Sequence, residues 1–95
     1  MDCRELLFSG HAIRRMFERG ISTGQVREVI ESGEIIALYP EDRPLPSTFI
    51  LGFAGEMPLH VVIGEDASRR VCVVITVYVP EANVWHTDFK TRRNP

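Results

Sequence analysis

The sequence has few cysteines, no long apolar run and no export signal. Only two of its 95 residues are cysteines, Cys3 and Cys72, and no Cys-x-x-Cys pair is present. Two isolated thiols in an unexported chain are more simply reduced than paired. A disulfide between them is the alternative. No apolar stretch approaches the roughly 20 residues of a membrane-spanning helix, and Leu6 to Phe8 is too short for the core of a signal peptide. These absences predict a cytoplasmic protein without membrane contact.

An excess of positive charge is also missing. The formal net charge is −2, and the pI is about 5.9. Proteins that bind nucleic acid unaided usually carry a clear positive excess, so a role in RNA binding would have to rest on local basic patches. The composition, 44% hydrophobic and 25% charged, is typical of a globular protein. Without repeats or linkers, we expect one domain over residues 1–95, with a core at 8–79 and an irregular tail at 80–95.

Two consecutive segments carry the start and stop signals of helices. Ser9 is a good N-cap for the first, and Gly20 stands where a left-handed residue would end it. In the second, Ser22 and Gln25 have the spacing of a capping box, and Gly33 ends the segment. Each segment has an apolar stripe at helical spacing, formed by Ala12, Ile13, Met16 and Phe17 in the first and by Val26, Val29 and Ile30 in the second.

After these helices the pattern changes to the alternation of strands. The segments with this pattern are Glu34 to Tyr39, Ser47 to Phe53, Leu59 to Gly64 and Val71 to Val79. Prolines at 40, 44 and 46 exclude regular structure between the first two. The predicted fold is α+β, with two N-terminal helices packed on one face of a four-stranded antiparallel sheet. The last strand, long and β-branched, is expected near the centre of the sheet.

Alternation along these strands predicts two different faces of the sheet. One is wholly apolar and is expected under the helices: Phe49, Leu51, Phe53, Leu59, Val61, Ile63, Val71, Val73, Ile75, Val77 and Val79. The other is half polar and either meets solvent or binds a ligand: Thr48, Ile50, His60, Val62, Cys72, Val74, Thr76 and Tyr78.

Two groups of polar residues are candidates for chemistry. His11, Arg15 and Arg19 follow one another at intervals of four on the first helix, where they could hold phosphates. On the residues alone, a solvated helix face is the more common explanation of this stripe. His60 and Tyr78 lie on the half-polar face, and a histidine there can act as a general acid or base. A structural histidine bonded to a neighbour is the alternative. The histidines and cysteines lack zinc-site spacing and there is no phosphate-binding Gly-rich loop, so no metal and no cofactor are expected.

The residues also resemble a known family. The segments that carry the likeness are His11-Ala12, Arg15-Met16, Arg19-Gly20-Ile21-Ser22, Gly33-Glu34-Ile35-Ile36, Tyr39-Pro40, Asp42, Pro46-Ser47, Pro58-Leu59-His60-Val61-Val62 and Ile75-Thr76-Val77-Tyr78. Their combination resembles the domain-of-unknown-function family 4258, and the likeness runs from about Phe8 to Trp85.

The resemblance implies small bacterial or archaeal proteins related in fold to the RelE/ParE-like toxins. Some such relatives look like one half of a toxin–antitoxin pair, encoded beside a small zinc-finger or DNA-binding antitoxin. Toxins of that fold are mostly mRNA endonucleases, either ribosome-dependent or free, that work without metal. His11, Arg15, Arg19 and His60 occupy polar positions of the family pattern. With Tyr78, they are the candidate catalytic residues.

Two functions follow as hypotheses. In the first, the protein is the toxin-like component of a type II toxin–antitoxin system and a metal-independent endoribonuclease. His60 would be its base or acid, Arg15 and Arg19 would hold the phosphate, and Tyr78 or His11 would assist. In the second, it is a non-catalytic protein-binding module whose half-polar face or exposed sheet edge receives a partner. The partners considered are an antitoxin, RNA or the ribosome, and a second copy in a homodimer.

Overall fold

The computed structural model describes residues 3–93. Its elements in chain order are β1 (Glu5–Phe8), α1 (Gly10–Arg19), α2 (Thr23–Ser32), β2 (Glu34–Tyr39), β3 (Ser47–Ala54), β4 (Met57–Asp66) and β5 (Val71–Tyr78). Within this described part, no helix has the length and apolarity needed to cross a membrane.

Both helices begin and end at the predicted residues. The Ser9 side chain accepts a hydrogen bond from the backbone N–H of Ala12 at 3.0 Å, and Gly20 ends α1 with a left-handed φ of 67°. Ser22 and Gln25 form a reciprocal capping box at the start of α2. These local signals are confirmed because each depends on residues three or four positions apart.

The five strands form one mixed sheet in the order β1-β5-β4-β3-β2. The pairs β2–β3, β3–β4 and β4–β5 are antiparallel. β1 runs parallel to β5, with Glu5 opposite Val71 and Phe8 opposite Val74. β4 therefore lies at the centre of the sheet, and β5 is its neighbour.

The predicted four-stranded antiparallel sheet is wrong because β1 adds a fifth strand that is parallel to its partner. All four predicted strands exist, and β4 is longer than expected. β1 has only four residues, too few for alternation to separate a strand from irregular chain. Its partner β5 is distant in sequence, so the pairing leaves no local pattern.

The predicted faces are also wrong, because the β3–β4 register differs by one residue from the expected one. A five-residue loop would have placed Phe53 opposite Leu59, whereas the observed two-residue turn places Ala54 opposite Met57. A shift of one residue moves every side chain of a strand to the other face. The register also shifts between β4 and β5, at Ile75, which is 39% exposed instead of buried.

The sheet consequently has two covered faces of different composition. The helix face packs against α1 and α2 and carries Ile50, Leu59, Val61, Ile63, Cys72, Val74 and Val77. The tail face, named for the chain after β5, carries Phe49, Leu51, His60, Val62, Thr76 and Tyr78. Ile50, Cys72 and Val74, predicted on the half-polar face, thus belong to the core under the helices, whereas Phe49 and Leu51 lie on the tail face.

Helix α2 lies close above β3 because Gly52 has no side chain. A Cβ atom added at Gly52 would lie 2.7 Å from Cγ1 of Val29, a separation that real side chains do not tolerate. The contact allows the fully buried Val29 to pack directly on the sheet.

Cys3 and Cys72 form a disulfide, whereas the sequence alone favoured two reduced thiols. Their Cα atoms are 5.5 Å apart, and 69 positions separate them along the chain. The bond joins the residues before β1 to the second position of β5, so it fastens the edge strand to the sheet.

Candidate functional site

The chain after β5 folds back across the tail face. Trp85 and Arg92 form an isolated bridge, and the backbone N–H of His86 donates to the carbonyl of Thr91 at 2.9 Å. The Asp88 carboxylate accepts hydrogen bonds from the backbone N–H groups of Lys90 and Thr91. The described part of this segment, residues 81–93, therefore has a defined path over the sheet, which we call the tail.

His60 lies fully buried between β4 and the tail. Its Nε2 atom is 2.7 Å from the carbonyl oxygen of Phe89. The Trp85 ring meets the imidazole edge-on, with ring centroids 4.5 Å apart. On its other side, Nδ1 is 3.0 Å from the hydroxyl of Tyr78. The tail therefore removes His60 from solvent and gives each ring nitrogen a partner.

The hydrogen bonds of His60 assign its tautomer. A carbonyl oxygen only accepts, so Nε2 carries the hydrogen and donates it to Phe89. In the neutral ring Nδ1 is then the acceptor, and the Tyr78 hydroxyl donates to it. The structure thus holds a Tyr78–His60 pair in which the tyrosine proton points at an imidazole nitrogen.

Burial keeps both members of this pair neutral near pH 7. It lowers the pKa of His60, an effect that the bond to the Phe89 carbonyl partly opposes. It raises the pKa of Tyr78, where the charge of Arg92 acts in the opposite direction and Tyr39 adds to the rise. Neither group is ionised at rest, and the hydrogen bond between them gives the Tyr78 proton a path to Nδ1 of His60.

A cleft of about 590 Å³ opens in front of Tyr78. α1, β2, β3, the end of β5 and the tail contribute the residues that line it: Arg15, Arg19, Ile36, Ala37, Tyr39, Phe49, Tyr78, Val79, Glu81, Val84, Trp85, Lys90 and Arg92. We call it the cationic cleft, because four of these side chains are cations and one, Glu81, is an anion.

Three of the four cations of the cleft are held by surface contacts. The pairs are Arg15 with Glu18 at 3.5 Å, Lys90 with Glu34 at 3.3 Å, and Arg92 with the Trp85 ring at 5.6 Å from its centroid. Ion pairs this exposed contribute about 0–1 kcal/mol each. A phosphate group can therefore replace the glutamate partners at little cost.

Three of the five sequence-predicted site residues line this one cleft. Arg15 and Arg19 enter it from α1 and Tyr78 from β5, and His60 lies directly behind Tyr78. His11 is exposed on α1 and does not line the cleft.

The sequence analysis did not place the tail in the site. Lys90, Arg92 and Trp85 line the cleft beside the predicted residues. The basic run at 90–93 and the single tryptophan were the available signals. A basic chain end is most often solvated, and nothing local shows that it folds back over a buried histidine. Among residues 3–93, no three His, Cys, Asp or Glu side chains lie close enough together to hold a metal ion.

Comparison with known proteins gives one match. The family described as a domain of unknown function (DUF4258) matches residues 8–79, which include both helices and β2 to β5. Neither the curated proteins nor the solved structures gave a match.

Proposed function

The chain belongs to the DUF4258 family, and on that premise we propose that it binds RNA in the cationic cleft and cleaves it without a metal ion. In this proposal it is the toxin-like component of a bacterial or archaeal toxin–antitoxin pair, related to the RelE/ParE-like toxins. The observation that carries the proposal is the convergence of four cations with the Tyr78–His60 pair at one cleft.

The lining of the cleft suits a single RNA strand. Guanidinium groups bind phosphates through paired hydrogen bonds, and Arg15 and Arg19 present two of them one helical turn apart. Tyr39, which is 44% exposed, supplies an aromatic ring on which a base can stack. The net charge of −2 leaves this role to a local basic patch, and four of the eleven Lys and Arg residues line the cleft.

The Tyr78–His60 pair can start cleavage by the 2′-hydroxyl of the RNA. Tyr78 Oη takes the 2′-hydroxyl proton while its own proton passes to Nδ1 of His60. The 2′-oxygen then bonds to phosphorus, and the bond from phosphorus to the 5′-oxygen breaks. A 2′,3′-cyclic phosphate is left, and the 5′-oxygen takes a proton from water in the cleft. The proton on Nδ1 of His60 returns to Tyr78 Oη, which passes its own proton to the hydroxide left in the cleft. Arg15 and Arg19 offset the negative charge that develops on the phosphoryl oxygens.

The test is cleavage of a labelled single-stranded RNA in the presence of a chelator. Tyr78→Phe keeps the ring but removes the hydroxyl, and we expect the rate to fall by roughly 10²-fold or more. Arg15→Ala should weaken RNA binding as well as cleavage. Arg69→Ala, in the exposed turn before β5, is the matched control for loss of one positive charge and should behave like the wild type.

Growth of a bacterial host after induced expression gives an independent measurement. We expect arrest with the wild type and recovery with Tyr78→Phe at equal soluble expression. Wild-type protein that folds but cleaves no RNA and arrests no growth would overturn the proposal. So would cleavage that survives Tyr78→Phe unchanged.

A second candidate function, a protein-binding module without catalysis, is favoured by the β2 edge. β2 is an outer strand of the sheet, and Ile35 and Leu38 on it are 52% and 64% exposed. An apolar edge strand is a template for pairing with a partner chain. This candidate predicts that Leu38→Lys abolishes partner binding while Tyr78→Phe leaves it intact.

A further inference from the structure

We propose that a second cavity on the tail face is a nucleobase pocket that selects guanine in the bound RNA; the inference rests on the RNA-binding function. The cavity has a volume of about 480 Å³, within the range of roughly 300–1,000 Å³ typical of sites for small ligands. Its walls come from the proline-rich loop before β3 and from β3, β4 and β5. The lining residues that the argument uses are Asp42, Phe49, Val62, Val73, Ile75 and Tyr78.

The cavity adjoins the cationic cleft. Phe49 and Tyr78 line both spaces, so the two rings form a shared wall. An RNA strand whose phosphate lies beside the Tyr78 hydroxyl therefore presents a neighbouring base at the mouth of the cavity. This adjacency points to a base of the same strand as the occupant.

The walls suit a flat, weakly solvated ring. Val62 and Val73 present aliphatic surface, and Ile75 borders the opening because the register shift in β5 leaves it 39% exposed. Phe49 and Tyr78 supply aromatic surface for stacking. Single-stranded RNA is recognised mainly through bases that leave the stack and enter such surroundings.

Among the polar residues of the lining, which also include Arg43, Ser47 and Thr76, the Asp42 carboxylate favours guanine over uracil. The Arg43 guanidinium donates to the backbone carbonyls of Glu41 and Asp42. The Asp42 carboxylate accepts a hydrogen bond from the buried Ser47 hydroxyl, which orients it at the pocket lining. A carboxylate only accepts, and the Watson–Crick edge of guanine offers it two adjacent N–H donors. The same edge of uracil has one N–H between two carbonyl oxygens, which a carboxylate repels.

The experiment is a calorimetric titration with guanosine 3′-monophosphate, uridine 3′-monophosphate and ribose 5-phosphate, which lacks a base. We expect guanosine monophosphate to bind wild type about ten-fold tighter than ribose phosphate, because base stacking adds to the phosphate contact. Val73→Phe, which fills the pocket, should reduce this ratio to about one. Asp42→Asn, at an exposed position where the amide oxygen can still accept from Ser47, should remove the preference for guanine over uracil. Arg15→Ala should weaken the binding of all three ligands by the same factor.

The outcomes separate this inference from the function on which it rests. Equal binding of guanosine monophosphate and ribose phosphate to the wild type would overturn the pocket and leave RNA binding in the cleft intact. Equal binding of the guanine and uracil nucleotides would overturn the assignment of guanine. Binding of guanosine nucleotide that Val73→Phe abolishes, in a protein that neither binds nor cleaves RNA, would support the pocket and overturn the proposed function.

Discussion

His60 is the residue where structure and titration are most closely linked. Its imidazole is fully buried. Nδ1 is hydrogen-bonded to the Tyr78 hydroxyl and Nε2 to the Phe89 carbonyl. Protonation would make Nδ1 a donor facing a hydroxyl that already donates to it, inside surroundings that disfavour charge. The same contacts that make His60 a proton acceptor for Tyr78 therefore make its neutral form part of the fold.

We predict that the protein loses stability as the pH falls below about 6.5, because of His60. Its pKa is lowered in the folded state. Below pH 6.5, His60 therefore binds a proton in the unfolded chain more readily than in the folded protein. The free energy of unfolding then decreases with falling pH. Urea unfolding at pH 7.5, 6.5 and 5.5 measures this slope, and His60→Gln should reduce it. A slope that is identical in the variant would contradict the prediction.

Asp88 affects the stability of the protein in a separate, more acidic pH range than His60 does. Its pKa is lowered because its carboxylate accepts the backbone N–H groups of Lys90 and Thr91. The stabilisation by Asp88 is present above its ordinary pKa of 3.8 and is lost only as the pH falls further. Titration of Asp88 therefore does not obscure the effect of His60.

Among the elements, β1 depends most on contacts outside itself. It is a four-residue edge strand, and its hydrogen bonds all go to β5 and the turn before it. The Cys3–Cys72 disulfide crosses this junction. Because β5 also carries Tyr78, the element that completes the sheet is attached to the strand that forms the site.

We predict that breaking this disulfide lowers the free energy of unfolding by about 2–4 kcal/mol, since it closes a long loop. Denaturant unfolding with and without a thiol reductant measures the loss, and faster amide exchange in Leu6 and Phe8 would place it at β1. In Cys3→Ala, added reductant should have no further effect. Two titratable thiols in protein purified without reductant would show that the bond is not formed.

At the scale of the whole molecule, the sheet is covered on both faces by different parts of the chain. The helices precede most of the sheet and cover one face, and the tail follows it and covers the part of the other face that carries His60. Trp85 is only 9% exposed and packs against His60. The salt bridge from Lys90 to Glu34 joins the tail to the far edge strand β2. The tail is thus both a lid on the buried histidine and a wall of the cleft.

We predict that Trp85→Ala destabilises the protein by about 3–5 kcal/mol, because it leaves a large cavity over His60. Phe17→Ala is the matched control, since Phe17 is 88% exposed on α1, and its effect should stay within about 0.5 kcal/mol. Unfolding followed by circular dichroism avoids dependence on the single tryptophan. A loss no larger than that of the control would mean that the tail does not stabilise the tail face.

Local sequence determined the parts of the fold whose signals lie within a few residues of one another. Ser9 and Ser22 began the helices as predicted, and β2 to β5 were recognised from their alternation. The stripe of Arg15 and Arg19 was visible because helical spacing places residues four apart on one side. These features need no knowledge of the rest of the chain.

Only the tertiary structure decided which strands pair, in which register, and what covers them. A two-residue turn in place of a longer loop exchanged the faces of β3. The disulfide and the parallel pairing of β1 join residues more than 60 positions apart. The burial of His60 depends on the tail, 29 residues further along. Such contacts form because the whole chain buries its apolar surface together, a free energy that no short segment contains.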